Sequence, residues 1–445
     1  MYFYFIWFLS IHLYNWYVKL FFAKKDAVSA NWVFTFFAPC VTIKAFGQEF
    51  RRKEKPMTCN YKTTMRACFA GYVVQAIINN FAPLLFVTWQ GSFALPLGRI
   101  TLLITVNFLT QLAVDLFGAL FVDRIGYRVC VVAAHVFSAV GLASLAFLPY
   151  ILPPYAGIMI AVVISAVGSG LIEVLVSPIM EACPTPNKES AMSLLHSFYC
   201  WGQAGVVLLS TVFFALAGRE HWRWLALVWA ALPFANAFVF LRTPLPRLLA
   251  EGDRGMSLKE FFSNKYFIIF TLMMFAAGAG ELAVSQWASA FAETGLGVSK
   301  TAGDLAGPML FAVLMGGARL FYGKRGSKLP LEKAMLVSGC LCVFSYLLAS
   351  LSPWPLLSLA GCALTGLGVG VMWPGTFSLA SKRLPRGGTA MFALLALAGD
   401  LGCAAGPTLL GRIAEASPGG MRTGLLVGAA IPAVLVAAVL AQRKR

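Results

Sequence analysis

The sequence contains little charge for its length. Only 12% of its 445 residues are Asp, Glu, Lys or Arg, whereas 59% are hydrophobic, and soluble domains carry about 25% charged residues. This composition excludes an ordinary soluble protein and predicts a polytopic membrane protein with about a dozen helices of ~20 residues. The net charge is +17. Because the basic residues cluster in loops, we expect them to set membrane topology and not to bind nucleic acid.

Several motifs of enzymes and metal proteins are also missing. The ten cysteines are scattered through apolar stretches without a C-x-x-C pair, which favours reduced packing residues over disulfides or a zinc site. No phosphate-binding loop, clustered His/Cys/Asp set or sizeable soluble domain is visible. We therefore expect no metal, no cofactor and no enzymatic activity. A membrane-bound enzyme or sensor is the least favoured alternative.

Glycine is scarce in residues 1–56, which differ from the rest of the chain. This stretch has 17 of the 60 aromatic residues but one of the 41 glycines, Gly47. It lacks the basic start and small-residue cleavage site of a signal peptide. Three interpretations stay open: an extra membrane helix, an interfacial anchor, or a mis-assigned start with translation beginning at Met57. We favour the last.

Twelve apolar segments follow, and the loop 242–265 divides them into six plus six. We expect an all-α membrane protein with an N-terminal six-helix bundle at 57–241, a cytoplasmic linker at 242–265 and a C-terminal six-helix bundle at 266–445. The predicted segments are 66–89, 100–122, 128–150, 155–178, 191–216, 223–241, 266–290, 304–323, 332–351, 354–377, 388–412 and 421–441.

The basic residues of the loops predict the orientation. If the segment at 66 starts in the cytoplasm, its side of the membrane carries 20 loop and tail Lys and Arg residues, against six on the other side. Positive charge is retained in the cytoplasm. Both ends of the 57–445 body are therefore predicted to be cytoplasmic.

The two halves resemble each other at an offset near 200 residues. Gly168-Ser-Gly170 recurs as Gly368-Val-Gly370, Ala191-Met192 recurs as Ala390-Met391, and Gly118 is matched by Gly317. Since six helices is an even number, both halves enter from the same side. The pattern predicts a parallel, pseudo-symmetric repeat about an axis along the membrane normal.

An acid and an imidazole lie inside adjacent apolar segments. Glu173 is eight residues before Glu181, and His196 is seven residues after Glu189, so each is about 10–12 Å into the membrane from the same surface. Intramembrane ionisable residues are costly and indicate function. We expect both to line a transport pathway, with Glu173 exchanging protons and His196 relaying them. The alternative is that each is a packed polar residue.

A motif between the second and third segments resembles the signature of the major facilitator superfamily. The stretch GALFVDRIGYR, residues 118–128, matches the family's glycine, small-residue run and D-R-x-G-x-R/K, although its glycine stands one position early. The resemblance covers residues 57–445 and implies two six-helix bundles that rock about a midplane site. The residues assigned to this gating motif, together with a nearby acid in the second segment, are Asp115, Asp123, Arg124, Gly126 and Arg128.

Within that superfamily the chain resembles the fucose permease-like sugar branch. The similar stretches are GSGLIEVLVSPIMEACP with Glu173, MSLLHSFYCWG, GAGELAVSQW with Glu281, and GLGVGVMWPGTFSLA with Trp373. One departure concerns the first helix, QAIINNFAPLLF, which has no carboxylate where proton-coupled members carry one. If protons are the coupling ion, Glu173 or Glu281 must carry them.

Other intramembrane polar and aromatic residues are candidates for binding the solute. Amides both donate and accept hydrogen bonds and therefore suit sugar hydroxyls, whereas Arg319 is expected to neutralise Asp400 or Glu281 or to extend towards Lys324. Each of these residues also has a plain structural interpretation. The remaining candidates are Gln75, Asn79, Asn80, Glu281, Trp287, Trp373 and Asp400, with Tyr199 and Trp201 as further stacking residues.

We therefore predict a monomeric secondary carrier for a sugar or similar small polar solute, driven by protons, in a bacterial cytoplasmic membrane. The alternative is efflux of amphipathic compounds. Efflux carriers of this superfamily have a G-x-x-x-G-P stretch in the fifth helix. Here that sequence, Gly402 to Pro407, is in the eleventh segment, which weakens the alternative.

Overall fold

The computed structural model describes residues 61–95, 97–246, 255–292, 296–297 and 305–442. The expectations for residues 1–56, for the middle of the linker and for the last three residues lie outside these ranges. Within them the chain is helical. The helices are α1 (Tyr61–Leu84), α2 (Phe86–Phe93), α3 (Leu97–Ile125), α4 (Tyr127–Ile151), α5 (Pro154–Ala182), α6 (Lys188–Ala217), α7 (Trp222–Arg242), α8 (Leu258–Ser263), α9 (Lys265–Ala290), α10 (Leu310–Arg325), α11 (Leu331–Leu351), α12 (Pro355–Val369), α13 (Met372–Arg383), α14 (Gly388–Ala416), α15 (Gly420–Gly428) and α16 (Ala430–Ala441).

Eleven helical spans among the described residues are long and apolar enough to cross a membrane. They coincide with eleven of the predicted segments. The predicted segment at 304–323 is α10, which has 16 residues and follows a π-helical turn, Leu305–Met309. It is shorter and less apolar than the others because it contains Arg319 and ends at two basic residues.

Three predicted single helices are interrupted among the described residues. The first segment is divided into α1 and α2, the tenth into α12 and α13, and the twelfth into α15 and α16. The interruption of the tenth segment has a simple cause. Pro374 has no N–H to donate to the carbonyl of Gly370, four residues earlier. Gly366 and Gly368, just before Gly370, also make the helix easier to bend.

The glycine pairs of the predicted repeat were compared by what surrounds them. Gly168 and Gly368 have similar surroundings, whereas Gly118 and Gly317 do not. A Cβ on Gly168 would lie 2.6 Å from the Ser138 backbone nitrogen in α4, and a Cβ on Gly368 would lie 2.9 Å from Cys342 in α11. Both glycines therefore allow close approach of the third and fourth helices of their half. A Cβ on Gly118 would contact Val174, whereas a Cβ on its predicted partner Gly317 would have no neighbouring atom within 4 Å.

Among the described residues, the N-terminal half (α1–α7) and the C-terminal half (α9–α16) contact each other mainly through the helix pairs α3–α14, α5–α14, α6–α10 and α6–α13. We call the membrane side where α1 begins the basic side. Hydrogen bonds between the halves cluster on this side, at the α3–α4 and α5–α6 connections. In the same region Gly323 of α10 packs on Leu194 of α6. These contacts hold the two halves together on the basic side.

Candidate functional site

Glu173 of α5 accepts a hydrogen bond from Gln75 of α1. The Gln75 Nε2 to Glu173 Oε2 distance is 2.7 Å. The helices approach closely because Gly71 leaves room for Val176, at 3.1 Å from its added Cβ position. Gln75 is buried at 3% exposure, and its Oε1 has no hydrogen-bond donor among the described residues. A hydroxyl or acid proton arriving beside Glu173 would supply that donor.

A second polar group lies next to this pair, between α1, α3 and α5. Asn79 Oδ1 accepts from Gln111 Nε2 at 3.2 Å and from Ser169 Oγ at 3.4 Å. Ser169 Oγ also lies 3.2 Å from Gln111 Oε1. The sequence predicted Gln75 and Asn79 but missed Gln111 and Ser169. The available signal was an amide in the segment 100–122, one of two with Asn107, and the serine of Gly168-Ser-Gly170.

Asn80 differs from Asn79. Its Nδ2 donates to the Ala76 carbonyl of the same helix at 2.8 Å, so its amide is partly used within α1. Asn80 is half-buried and stays a candidate for binding.

His196 of α6 is one helical turn nearer the basic side than Glu173. Its Nε2 lies 3.3 Å from the Tyr72 hydroxyl and 3.4 Å from Ser177 Oγ, and those two hydroxyls are 2.8 Å apart. Ser177 follows Glu173 by four residues, and Tyr72 precedes Gln75 by three, so the two groups form successive layers between α1 and α5. His196 and Glu173 are thus neighbours in depth, without a direct hydrogen bond.

Arg319 of α10 forms a buried ion pair with Glu281 of α9. The Nη2 to Oε2 distance is 3.0 Å, and the side chains are 4% and 17% exposed. Arg319 Nε donates at 3.0 Å to the Gly370 carbonyl, which Pro374 leaves unused. Of the two acids predicted to neutralise Arg319, the structure selects Glu281.

The same guanidinium reaches the N-terminal half. Arg319 Nη1 lies 3.1 Å from Cys200 Sγ and 3.5 Å from the His196 carbonyl, both in α6. Ser193 of α6 donates to the Arg319 carbonyl at 2.9 Å. Arg319 therefore joins the two halves. The sequence did not predict Cys200, because a cysteine in an apolar helix carries no distinguishing signal.

Asp115 of α3 and Asp400 of α14 interact across the junction of the halves. Asp115 is fully buried, and neither of its oxygens has a hydrogen-bond donor among the described residues. Glu173 is close enough to both carboxyls to interact electrostatically. The sequence placed Asp115 at a gate and treated Asp400 separately, whereas the structure brings them together.

The predicted aromatic residues have different surroundings. Trp287 Nε1 donates to the Pro407 carbonyl at 2.8 Å, which ties α9 to α14. Trp373 is 8% exposed and packs against Phe377 and Gly399. Tyr199 is half-buried, and Trp201 is 39% exposed. Trp287 and Trp373 therefore have clear packing roles beside any contact with a solute.

The predicted gating motif forms a hydrogen-bonded link between the halves. Thr389 at the start of α14 donates to Asp123 Oδ1 at 2.7 Å, and the Tyr127 hydroxyl lies 2.5 Å from Thr389 Oγ1. Gly126 has a φ of 106°, which explains the glycine between α3 and α4. Arg128 Nη1 donates to the Phe240 and Leu241 carbonyls at 3.1 and 2.8 Å. The Arg124 side chain is outside the described part.

A further link on the basic side was not predicted. Glu189 pairs with Lys382 and accepts from Tyr322 at 3.1 Å, and Ser381 donates to Glu181 Oε1 at 3.0 Å. Glu181 and Glu189 flank the turn between α5 and α6, whereas their partners belong to the C-terminal half. The sequence used these two acids only as depth markers.

Residues 67–407 match the sequence profile of the Major Facilitator Superfamily. The chain belongs to the Major Facilitator Superfamily. Membrane protein MosC of Rhizobium meliloti is 24% identical over 259 residues, which are 58% of this chain and 61% of that protein. The matched region thus covers less than two thirds of this curated relative.

Solved structures of other superfamily proteins share the fold. The E. coli fucose:proton symporter FucP, in a variant form, has a TM-score of 0.76 at 15% identity, covering 86% of this chain and 100% of that chain. FucP in the outward conformation gives 0.76 at 14% identity, with 86% and 99% coverage. The proton:xylose symporter XylE bound to 6-bromo-6-deoxy-D-glucose gives 0.71 at 13% identity, with 84% and 94% coverage.

These similarities confirm the predicted family and fold class. The protein is an all-α, multi-pass membrane protein of a transporter superfamily, and its fold is that of FucP and XylE. The assignment as a transporter and not an enzyme is also confirmed. At 13–15% identity, the structural neighbours establish the fold alone.

Proposed function

We propose that this superfamily member is a secondary active carrier that takes up a sugar or similar small polar solute together with protons. The observation that carries the proposal is the Gln75–Glu173 pair, beside the Asn79, Gln111 and Ser169 group. It places an ionisable acid next to several neutral donors and acceptors at mid-membrane depth. Such groups match the hydroxyls of a sugar, and the acid can gain and lose a proton.

Glu173 is the proposed coupling residue. When it is ionised, it accepts the Gln75 amide hydrogen; when it is protonated, its O–H can donate to the unpartnered Gln75 Oε1. A change of proton therefore changes the orientation of the amide beside the solute. His196 lies one layer nearer the basic side, where Tyr72 and Ser177 provide a hydrogen-bonded route for relay.

Glu281 is the alternative proton carrier. It forms an ion pair with Arg319, so we assign it to holding Arg319 and the C-terminal half in place. Glu173 has an amide as its partner and is better suited to cycling between protonation states. The fold of proton symporters such as FucP and XylE supports this mechanism by similarity.

The proposal includes the orientation and the setting. The basic side is the cytoplasmic side of a bacterial cytoplasmic membrane, because the Lys and Arg of the loops are concentrated there. The bundles at 57–241 and 266–445, joined by the linker 242–265, alternate access by rocking about the midplane. The working unit is a monomer.

The test is sugar-dependent proton uptake. Unbuffered cells expressing the full chain are given a panel of hexoses, deoxyhexoses and disaccharides while the external pH is recorded. One sugar is expected to make the medium alkaline, and Glu173→Gln is expected to abolish this signal. Glu415→Gln, an exposed acid at the end of α14, is the matched control and is expected to behave like the unchanged protein.

Two outcomes contradict the proposal. If no sugar makes the medium alkaline although the protein is shown to be in the membrane, sugar–proton symport is excluded. If the Glu173→Gln variant still makes the medium as alkaline as the unchanged protein does, Glu173 is not the coupling residue. Efflux is then tested by the accumulation of fluorescent amphipathic compounds. Efflux is less favoured because Gly402 and Gly406 are used to pack α14 against Phe275 and Ala279 of α9.

A further inference from the structure

Asp115 is a carboxylate without a conventional partner in the part of the chain that the structure describes. Its exposure is 0%, and both side-chain oxygens lack a donor. Leaving a buried carboxylate charged and unpartnered is very costly, so such a group is protonated or has its charge compensated. The ion pairs among the described residues do not involve Asp115 or Asp400. Compensation by a cation of the protein is therefore not what holds Asp115.

The group that faces Asp115 is another acid. Asp400 of α14 lies opposite, and Glu173 of α5 is the next ionisable group. Glu281 of α9 lies beyond Glu173 and is occupied by Arg319. Among the described residues, the titratable groups that interact with Asp115 are thus carboxylic acids, and Cys403 lies one helical turn beyond Asp400 on α14. Two carboxylates that face each other in a buried site cannot both be ionised without strong repulsion, and one proton between them removes it.

The surrounding helices force this contact. Gly118 packs on Val174, and the added Cβ of Gly170 would lie 3.0 Å from Val114, so α3 and α5 are in close contact on either side of Asp115. Helix α14 then closes against α3 and α5 from the other half. Asp115 itself is fully buried in this conformation, whereas Asp400 is half-buried.

We propose that Asp115 and Asp400 share a single proton and form a second protonation site, separate from Glu173, at the junction of the two halves. One carboxyl carries the O–H and donates it to an oxygen of the other. The site takes a proton and nothing larger. It stabilises the contact between α3 and α14 only while that proton is present.

A consequence follows for the transport cycle, and it rests on the proposed carrier function. When the halves separate on the basic side, the two carboxyls part. The O–H bond breaks, its proton passes to water on that side, and two hydrated carboxylates remain. Opening towards the basic side therefore releases a proton in addition to the one on Glu173.

The test uses the purified full chain in lipid nanodiscs without any sugar. Infrared difference spectra between acidic and alkaline buffer report the carbonyl stretch of protonated carboxyl groups, and a pH electrode counts the protons released. We expect Asp115→Asn and Asp400→Asn each to lose one carbonyl component and one released proton per molecule. In both variants the amide can donate to the remaining carboxylate, so the contact between the helices is kept.

Three comparisons decide the result. Glu173→Gln is expected to retain the component that the two Asn variants lose, and Asp400→Glu is expected to retain it because the acid is kept. Full proton release in both Asn variants overturns the proposal. Loss of the same component in Glu173→Gln also overturns it, because the proton then belongs to Glu173. If the carbonyl component disappears when sodium replaces potassium in the buffer, the shared-proton proposal is wrong and the two carboxylates bind a cation.

The outcome is separable from that of the proposed function. The infrared measurement uses no sugar. If the Asp115–Asp400 signal is intact but no sugar causes alkalinisation, the shared proton is supported and the sugar–proton symport is not. If a sugar causes alkalinisation but the Asp115–Asp400 signal is absent, the carrier function is supported and the second protonation site is not.

Discussion

Arg319 and Glu281 form a buried ion pair, 3.0 Å between Nη2 and Oε2, on two helices of the C-terminal half. The same guanidinium contacts Cys200 and the His196 carbonyl on α6 of the N-terminal half. A single side chain therefore compensates an intramembrane acid and bridges the two halves. Its guanidinium supplies several donors in a fixed planar arrangement, which a lysine could not reproduce.

Arg319→Gln is expected to destabilise the protein by about 3–5 kcal/mol, because it leaves the buried Glu281 carboxylate unpaired. The double variant Arg319→Gln with Glu281→Gln is expected to regain part of that loss, since the uncompensated charge is gone. Thermal unfolding in detergent, followed by tryptophan fluorescence, measures both effects. Arg412→Gln, an exposed arginine of α14, is the control. A double variant less stable than Arg319→Gln would contradict this explanation.

Thr389→Val is expected to weaken closure on the basic side. The substitution keeps the shape of the side chain but removes the hydroxyl that donates to Asp123 and contacts Tyr127. Loss of a hydrogen bond costs about 0.5–1.5 kcal/mol, which is roughly a 2- to 13-fold shift towards the open state. Hydrogen–deuterium exchange is expected to become faster in peptides around Gly126.

The matched control for this variant is Thr408→Val. Thr408 is an exposed residue of the same helix, and its hydroxyl donates to its own helix at Ala404. Exchange around Gly126 is expected to be unchanged in this control. Equal acceleration in both variants would show that the effect comes from α14 itself and not from the link to Asp123.

Gly278→Ala is expected to lower stability by about 1–3 kcal/mol, because an added methyl group would overlap the Gly399 carbonyl across the α9–α14 contact. Gly317→Ala is the opposite case. Nothing lies within 4 Å of a Cβ at Gly317, so alanine is expected to stabilise the helix by about 0.5–1 kcal/mol. The yield of folded protein and the midpoint of thermal unfolding test the pair. The prediction fails if both substitutions shift stability in the same direction.

Cys183 is expected to react slowly with alkylating agents. It directly follows α5, and burial raises the pKa of its thiol to about 11, against a smaller lowering effect of Lys188. Since the thiolate is the reactive form, a thiol with this pKa reacts roughly 100-fold more slowly near neutral pH than one of ordinary pKa. The rate is expected to rise about tenfold per pH unit without levelling near pH 9.

Mass spectrometry of the peptide that contains Cys183, after timed alkylation at several pH values, measures this rate. Cys183→Ser identifies the signal by removing it. A plateau near pH 9 would show that the thiol ionises as an exposed cysteine does.

The helices were predictable from the sequence because long apolar runs and loop charges are local signals. Glu173, Arg319 and Asp400 were predictable for the same reason, since an ionisable residue in an apolar run is conspicuous. Their partners were not. Arg319 had two candidate acids in the sequence, Asp400 and Glu281, and the fold selects Glu281, with α12 packed against both α9 and α10.

The sequence did not predict the roles of several ordinary polar residues. Gln111, Ser169 and Thr389 acquire their roles from helices far away in the chain, as the 266-residue separation between Thr389 and Asp123 illustrates. No local pattern distinguishes them from polar residues that satisfy their own helix, as Asn80 does.

The break between α12 and α13 connects two features that look unrelated in the sequence. Pro374 leaves the Gly370 carbonyl without its helical partner, and Arg319 Nε uses that carbonyl at 3.0 Å. Straightening this helix would return the carbonyl to the backbone and take one acceptor away from the guanidinium. The bend is therefore part of the solvation of a charge inside the membrane. A proline on one helix and an arginine on another form one unit, and a change at either position has to be read as a change at both.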